Sequence, residues 1–545
     1  MAAAPASYNF ADVWEMVADA VPDREVLVCG AHRRTYGELE ANANRLAHHL
    51  LNLGVAPADH VALYLENCPE YLEAMLACFK IRAVPVNVNH RYVAGELRYL
   101  LSNSGAVGVI NGPRQAEVVA GVLAEVDGLR WSLSTGEPYS AALAVASPER
   151  PAPGERGDDD LYVIYTGGTT GLPKGVVWRQ ADAFFACLGG GDPMRIQGEV
   201  ASPAELPGRI GDGGPVYLTL APLMHAAAQW TSFMWFFAGA KVVLMEGPLE
   251  PERVWATVEA ERPNMLTVIG DAVAKPLLDA WDAAGSDRWD VSSLFAISNG
   301  GAPLSPGGKA RILERFPNVL VTDGFGSSEA GIQGSSRLTV SDSPAPGQAV
   351  RFDTSGKPLL VLDDGLQPVT PGSGVVGRIA TGGRLPLRYH NDPEKTADTF
   401  VEVAGQRWLL TGDLATVAAD GTVDLLGRGS TSINTGGEKV HPEEVEGVLH
   451  GHPAVADVLV VGVPDERWGS AVTAVVALSA GSTLTLEDVS SHCRGRLAGY
   501  KVPKQLVLVD EVRRSPAGKA DYRWAAEVAA VRTRRGAGRS PATPG

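Results

Sequence analysis

The chain is 545 residues long, 45% apolar, and carries a formal net charge of -16. That is enough apolar sequence for more than one sizeable core, and it excludes a disordered or low-complexity protein. The acidic balance argues against nonspecific binding to nucleic acid or to an anionic membrane surface.

In chain order, the spacing predicts a helix near Val13–Val21 and a strand at Val26–Val28. Thr35 and Glu38 have capping-box spacing, and Leu39, Ala43, Leu46 and Leu50 then fall on one helical face. Val61–Leu65 reads as a strand, Pro69–Phe79 as a helix, Val84–Val88 as a strand and Gly95–Ser102 as a helix. Residues 137–160, rich in Pro, Ala, Glu and Asp, read as a surface connection. The alternation resumes with strands at Leu161–Ile164, Val216–Leu220, Lys241–Met245, Met265–Ile269 and Leu294–Ile297. Helices are expected at Glu252–Glu261 and Pro306–Phe316. Strands alternating with helices predict an α/β architecture with largely parallel sheets. After about residue 350 the texture turns to short strands and Gly/Pro turns. A compact unit follows from Ser430 to Trp524, with a helix at Pro442–Leu449 and a strand at Val458–Val461. The Arg-rich end, from about Ala525, reads as a disordered tail.

The five cysteines, Cys29, Cys68, Cys78, Cys187 and Cys493, are scattered without a C-x-x-C pair. Neither a disulfide framework nor a zinc site is expected, and a reducing compartment is. Met1–Ser7 lacks the pattern of a signal peptide. The most apolar stretch, Phe233 to Met245, is too short to span a bilayer and includes Lys241. A cytoplasmic protein without stable membrane insertion is the expectation.

The most informative stretch is Tyr165 to Gly175, which holds four glycines, three threonines and Lys174 directly after an apolar strand. Glycines let backbone N–H groups close on a ligand, and hydroxyls beside a lysine suit a polyphosphate. It is not a Walker loop, because Gly175 and not Ser or Thr follows Lys174, and no G-x-G-x-x-G stands at the relevant loops. Several later strands also end in Gly- or Ser-rich loops: Met224-His225, Asn299-Gly300-Gly301-Ala302-Pro303, and Asp323 to Glu329. In open α/β sheets, ligands bind at the carboxyl ends of strands, so these loops point to one shared site.

Together the motifs resemble the adenylate-forming superfamily of acyl-CoA synthetases, luciferases and adenylation domains, over nearly all of residues 8–526. Tyr165–Gly175 resembles its phosphate loop. Gly324–Glu329 resembles its aromatic-Gly-x-Thr-Glu motif, with Phe325 for Tyr and Ser328 for Thr. Trp408–Asp413 matches W-x-x-T-G-D in full. Gly427–Glu446 resembles the hinge and glycine loop, and Ser515–Lys519 the terminal lysine motif. The phrases Gly427-Arg-Gly-Ser and Ile433–Val440, with Arg513-Arg514 before Ser515, are most similar to actinobacterial fatty-acyl and steroid-side-chain CoA ligases.

The resemblance implies a large N-terminal domain (1–427) with parallel sheets and a small barrel-like part. A small mobile α+β domain (428–526) and the tail (527–545) would follow. It implies activation of a carboxylic acid with ATP and Mg²⁺ to an acyl-adenylate, then transfer to CoA. Thr166, Gly167, Gly168, Thr169, Thr170, Gly171 and Lys174 would hold the phosphates, and Glu329 the metal. Gly300, Gly301, Ala302, Pro303, Asp323, Gly324, Phe325, Gly326 and Ser328 would surround the nucleotide, with Asp413 and Arg428 on the ribose. Lys519 would bridge carboxylate and α-phosphate, and His225 would gate the carboxylate. Gly436 and Gly437 would line the pantetheine tunnel. Ser430 departs from the family's usual hinge Asp or Lys. The acyl pocket is expected near His225–Trp230 and Gly300–Phe325. A monomer or homodimer is expected. Two alternatives stay open: an aromatic or amino-aromatic acid with a carrier thiol, amine or nitrite as acceptor, and a nucleotide-binding regulator without turnover.

Overall fold

The computed structural model describes residues 7–152, 154–166, 173–301, 304–342, 358–421, 423–428, 433–435, 438–465, 469–494, 496–497, 499–514 and 520–537. Two parallel-cored sheets build the large part. The first runs in the order Gly331–Leu338, Leu320–Ser327, Ala296–Asn299, Met265–Val268, Val216–Thr219, Lys241–Leu244, Glu25–Cys29, His32–Thr35; only its two edge strands are antiparallel to their neighbours. The second runs Arg388–Tyr389, Lys174–Arg179, Leu161–Thr166, Val84–Asn87, His60–Tyr64, Ala106–Asn111, Trp131–Ser134, and is parallel from Leu161–Thr166 onward. Central strands such as His60–Tyr64 and Met265–Val268 are buried along their whole length. That is why they read as mostly apolar runs, as parallel strands covered on both faces do.

One apolar cluster joins the two sheets, with Leu63, Ile110 and Tyr162 from one and Leu27, Leu266 and Ile297 from the other. The helix Ala226–Phe237 supplies Phe233, Phe236 and Phe237 to it. Phe10 meets Phe79 edge-on, with ring centroids 5.2 Å apart, a favoured aromatic geometry. The capping box at Thr35 and Glu38 forms as expected.

A charged network is buried beside this core. The Lys80 side chain, 0% exposed, donates to Glu15 at 2.6 Å and to Glu40 at 2.8 Å. Arg150 and Arg156 close the network onto Glu40 and Glu15. The connection 137–160 is therefore partly structured: it contains the helix Glu137–Ala144 and is pinned by both arginines.

A five-stranded antiparallel sheet follows: Leu359–Leu362, Gly377–Thr381, Gln406–Val417 and Phe400–Val403, with Val423–Arg428 also paired to Gln406–Val417. It forms the barrel-like part. The small domain pairs Val455–Asp465, Gly469–Leu478 and Gln505–Val509. One expectation is corrected here. The Arg-rich end is not a tail from residue 525, because a helix spans Tyr522–Ala537. Ala525 and Ala529, one helical turn apart, are fully buried against valines of the small sheet. Among the described residues no cysteine is in a disulfide.

Candidate active site

The Gly-Thr loop joins two antiparallel strands, with Thr166 opposite Lys174 and Tyr165 opposite Gly175. A Cβ at Gly175 would lie 2.7 Å from the Tyr165 ring, so glycine is needed where the strands cross so closely. Asn87, buried at the end of its strand, donates to the carbonyls of Tyr165 (2.8 Å) and Met224 (2.7 Å) and accepts from the Tyr165 amide. One side chain thus ties the strand end before the Gly-Thr loop to the turn that carries His225. His225 stands at the N-cap of the helix Ala226–Phe237, half-buried.

Glu329 lies in the turn between Leu320–Ser327 and Gly331–Leu338, closed by the Ala330 amide donating to Ser327. Trp178, on the strand that follows the phosphate loop, donates its indole N–H to the Ser328 carbonyl at 2.9 Å. Strand Arg388–Tyr389 adds onto the same strand, Tyr389 opposite Val176. From there the Tyr389 hydroxyl donates to Glu329 Oε1 at 3.1 Å. The Lys174 ammonium meets Asp392 Oδ2 at 2.6 Å. This hydrogen bond, aided by the lysine's charge, holds the Asp392 carboxyl below its usual range. Burial and the Glu329 charge push the Tyr389 phenol up, so it stays a donor.

W-x-x-T-G-D becomes legible as geometry. Trp408 is buried against Leu362, Ala380 and Leu410. Thr411 Oγ1 accepts from the Asp413 amide. Gly412 sits at φ +82°, a left-handed value that L side chains rarely adopt. Asp413, half-buried, stands across the ladder from Arg428.

Two expected contacts come out differently. Asp323 is buried, and its carboxylate accepts from Asn299 (2.8 Å) and from Lys309 (2.5 Å), itself 1% exposed. Its side chain ties two neighbouring strands to the helix Pro306–Arg315. In the stretch proposed for the acyl pocket, Ala228, Gln229 and Trp230 are buried. Gln229 is taken up by Tyr162, Tyr71 and the Leu223 carbonyl, so only His225, Ala226 and Ala227 remain half-buried. Gly300 and Gly301 lie at the end of the strand Ala296–Asn299, with Gly301 at φ +85°. Gly324, Gly326 and Ser328 lie along and just after the strand Leu320–Ser327. Gly167, Gly168, Thr169, Thr170, Gly171, Ala302, Pro303, Ser430, Gly436, Gly437 and Lys519 lie outside the described residues, as do the side chains of Phe325 and Arg428.

The base of the Lys519 loop is described. Arg514 bridges to Ala520 and grips Asp457 with two hydrogen bonds, at 2.8 and 2.7 Å. Tyr522 donates to the buried Glu446, which also accepts from the Val460 amide. Burial pushes the Glu446 carboxyl up to about 8. Lys275 of the large domain donates to the Ala456 carbonyl of the small one.

Residues missed by sequence reasoning are Asn87, Trp178, Tyr389 and Asp392. Only Asp392 had a local signal, an Asp-Pro pair of the kind that starts a helix.

The chain is similar to known proteins in sequence and in fold. Residues 14–388 match the AMP-binding enzyme family model and 444–519 the AMP-binding enzyme C-terminal domain. The chain is 44% identical to 3-oxocholest-4-en-26-oate–CoA ligase of Rhodococcus rhodochrous, covering 96% of both chains. It is also 44% identical to medium/long-chain-fatty-acid–CoA/3-oxocholest-4-en-26-oate–CoA ligase of Mycolicibacterium smegmatis, covering 95% of this chain and 96% of that one. Its fold matches the anthranilate CoA ligase AuaEII in complex with anthranoyl-AMP, with a TM-score of 0.83 at 23% identity, over 97% of this chain and 99% of that one.

Proposed function

The chain belongs to the AMP-binding enzyme family and is an ATP-dependent, AMP-forming acid–CoA ligase, and on that premise we propose that its acid is a bulky apolar one. The class is a medium- or long-chain fatty acid or a steroid side-chain carboxylate. Support comes from the full-length similarity to ligases whose names carry those acids. The observation that carries the site is the fastening of the Glu329 turn to the strand after the phosphate loop, through Trp178 and Tyr389.

A carboxylate oxygen attacks the α-phosphorus of ATP, the bond to the β-phosphate breaks, and pyrophosphate leaves. The CoA sulfur then attacks the acyl carbonyl carbon, and AMP leaves. In this reading Thr166–Gly171 and Lys174 neutralise the leaving pyrophosphate, which must be held as its charge grows. Lys519 bridges the attacking carboxylate and the α-phosphate. His225, whose turn is tied through Asn87 to the strand before the loop, positions that carboxylate. Asp413 and Arg428 hold the ribose, and Gly300–Pro303 and Gly324–Ser328 flank the base. After adenylation the small domain turns, so that Gly436 and Gly437 admit the pantetheine arm.

Among the described residues no group of three or more His, Cys, Asp or Glu could cage a metal. Glu329 alone fits a Mg²⁺ that takes its other ligands from phosphates and water. When bound, the ion would supply positive charge to the phosphate oxygens. No described helix is long and apolar enough to cross a membrane. We read the enzyme as cytoplasmic, acting as a monomer or homodimer.

Pyrophosphate release over a panel of acids tests the substrate class. Higher kcat/KM for fatty or steroid side-chain acids than for benzoate-like and cinnamate-like acids is expected. The reverse order, or turnover only with an amine or nitrite in place of CoA, would overturn it.

A further inference from the structure

We propose that Tyr389 and Asp392 are positioning residues for the phosphate end of the nucleotide, Tyr389 orienting Glu329 for the metal and Asp392 holding Lys174 ready for phosphate. The inference rests on the reading that Glu329 and Lys174 handle Mg²⁺ and phosphates.

A carboxylate turns freely unless something fixes its plane. The Tyr389 hydroxyl occupies Glu329 Oε1 at 3.1 Å, leaving Oε2 for a cation. Groups behind a metal ligand set its orientation in this way. Tyr389 is itself fixed. Its strand pairs with Lys174–Arg179, its amide donates to Thr396 Oγ1 at 3.0 Å, and the Thr396 hydroxyl donates back to the Asp392 carbonyl at 2.7 Å. His390 donates its amide to Gly175 at 2.7 Å, and Asn391 its side chain to Asn103 at 2.8 Å.

Asp392 uses its two oxygens separately. Oδ1 caps the helix Pro393–Thr399 by accepting from the Lys395 amide at 2.9 Å, and Oδ2 meets Lys174. The cap keeps Asp392 in place when Lys174 leaves. The pair is partly exposed, with side chains 39% and 28% accessible, so it is weak and exchanges readily for a polyphosphate. Both contacts converge on the four-residue segment Tyr389–Asp392, which couples the metal-binding carboxylate to the phosphate-binding lysine.

The test measures ATP binding by titration calorimetry with and without Mg²⁺, alongside the two half-reactions. Tyr389→Phe is expected to weaken MgATP binding about tenfold, the low end of what losing a partner behind a metal ligand costs. It should leave metal-free ATP binding, the KM for the acid and thiolysis of preformed acyl-adenylate unchanged. Asp392→Asn keeps a capping side chain and is expected to tighten metal-free ATP binding about threefold without changing AMP binding. Equal losses in all four readouts with Tyr389→Phe, or no change in the ratio of MgATP to ATP affinity, would overturn the inference. Glu329→Gln separates it from the underlying reading: if that variant keeps the full Mg²⁺ effect on binding, the assignment of Glu329 fails first.

Discussion

Glu446 shows how a single buried side chain gives the small domain a pH response. Burial raises its carboxyl to about 8 from an ordinary 4.5. Between those values the folded state holds a proton that the unfolded state has released, so stability falls as pH rises from about 4.5 to 8. Glu446→Gln removes that slope. In denaturant unfolding the variant should gain stability relative to the parent between pH 5 and pH 8; an equal difference at both would contradict it. Gly412 gives a second residue-scale prediction. At φ +82° an alanine costs about 1–2 kcal/mol of strain, and the shift moves Asp413. Gly412→Ala should weaken AMP binding, while Gly405→Ala, also at positive φ but in a turn away from the motif, should lower only the melting temperature. Motif residues such as Trp408, Gly412 and Gly175 were legible because their constraints are local. Asn87 and Tyr389 were not, because their partners lie 78 and 60 residues away and no spacing encodes them.

Helices with one apolar stripe and strands buried on both faces were legible in sequence; the role of the helix Ala226–Phe237 was not. The helix at Thr35 declared itself by its capping box and its apolar stripe. The helix Ala226–Phe237 is apolar on every face, so it has no stripe to detect, and its first residues were read as a pocket wall. Lys174–Arg179 was hidden for another reason. A glycine-rich loop after a strand suggests a crossover to a helix, whereas here it turns a hairpin. The Arg-rich end misled by composition, although Ala525 and Ala529 already had helical spacing. The buried charge network likewise left no trace in composition, and it sets a stability prediction. Lys80→Met removes the fully buried cation between Glu15 and Glu40, which keep Arg156 and Arg150 as partners, and should cost about 3 kcal/mol in denaturant unfolding, the low end for a broken buried pair. In the parent, burial would raise the Glu15 carboxyl, but Arg156 and Lys80 outweigh it and pull it down to about 2. The stabilisation from Glu15 is therefore complete above about pH 4.5 and lost as pH falls towards 2, a slope that Lys80→Met should flatten.

At the scale of the whole molecule, the small domain is proposed to turn between two half-reactions. On either side of the segment that carries Lys519, Arg514 is bonded to Asp457 and Tyr522 to Glu446, both within the small domain. Lys519→Ala should slow acyl-adenylate formation by about 10²–10³-fold, as loss of one charge-stabilising donor does, and leave thiolysis of supplied acyl-adenylate near the parental rate. The central claim is that one chain activates a bulky apolar acid as its adenylate and hands it to CoA. The direct measurement is a single-turnover reaction of enzyme with MgATP and a long-chain or steroid side-chain acid, followed by mass spectrometry before and after CoA is added. The account predicts acyl-adenylate and pyrophosphate first, and acyl-CoA with AMP only after CoA; acyl-CoA formed with ADP and phosphate, or an adenylate that CoA does not consume, would contradict it.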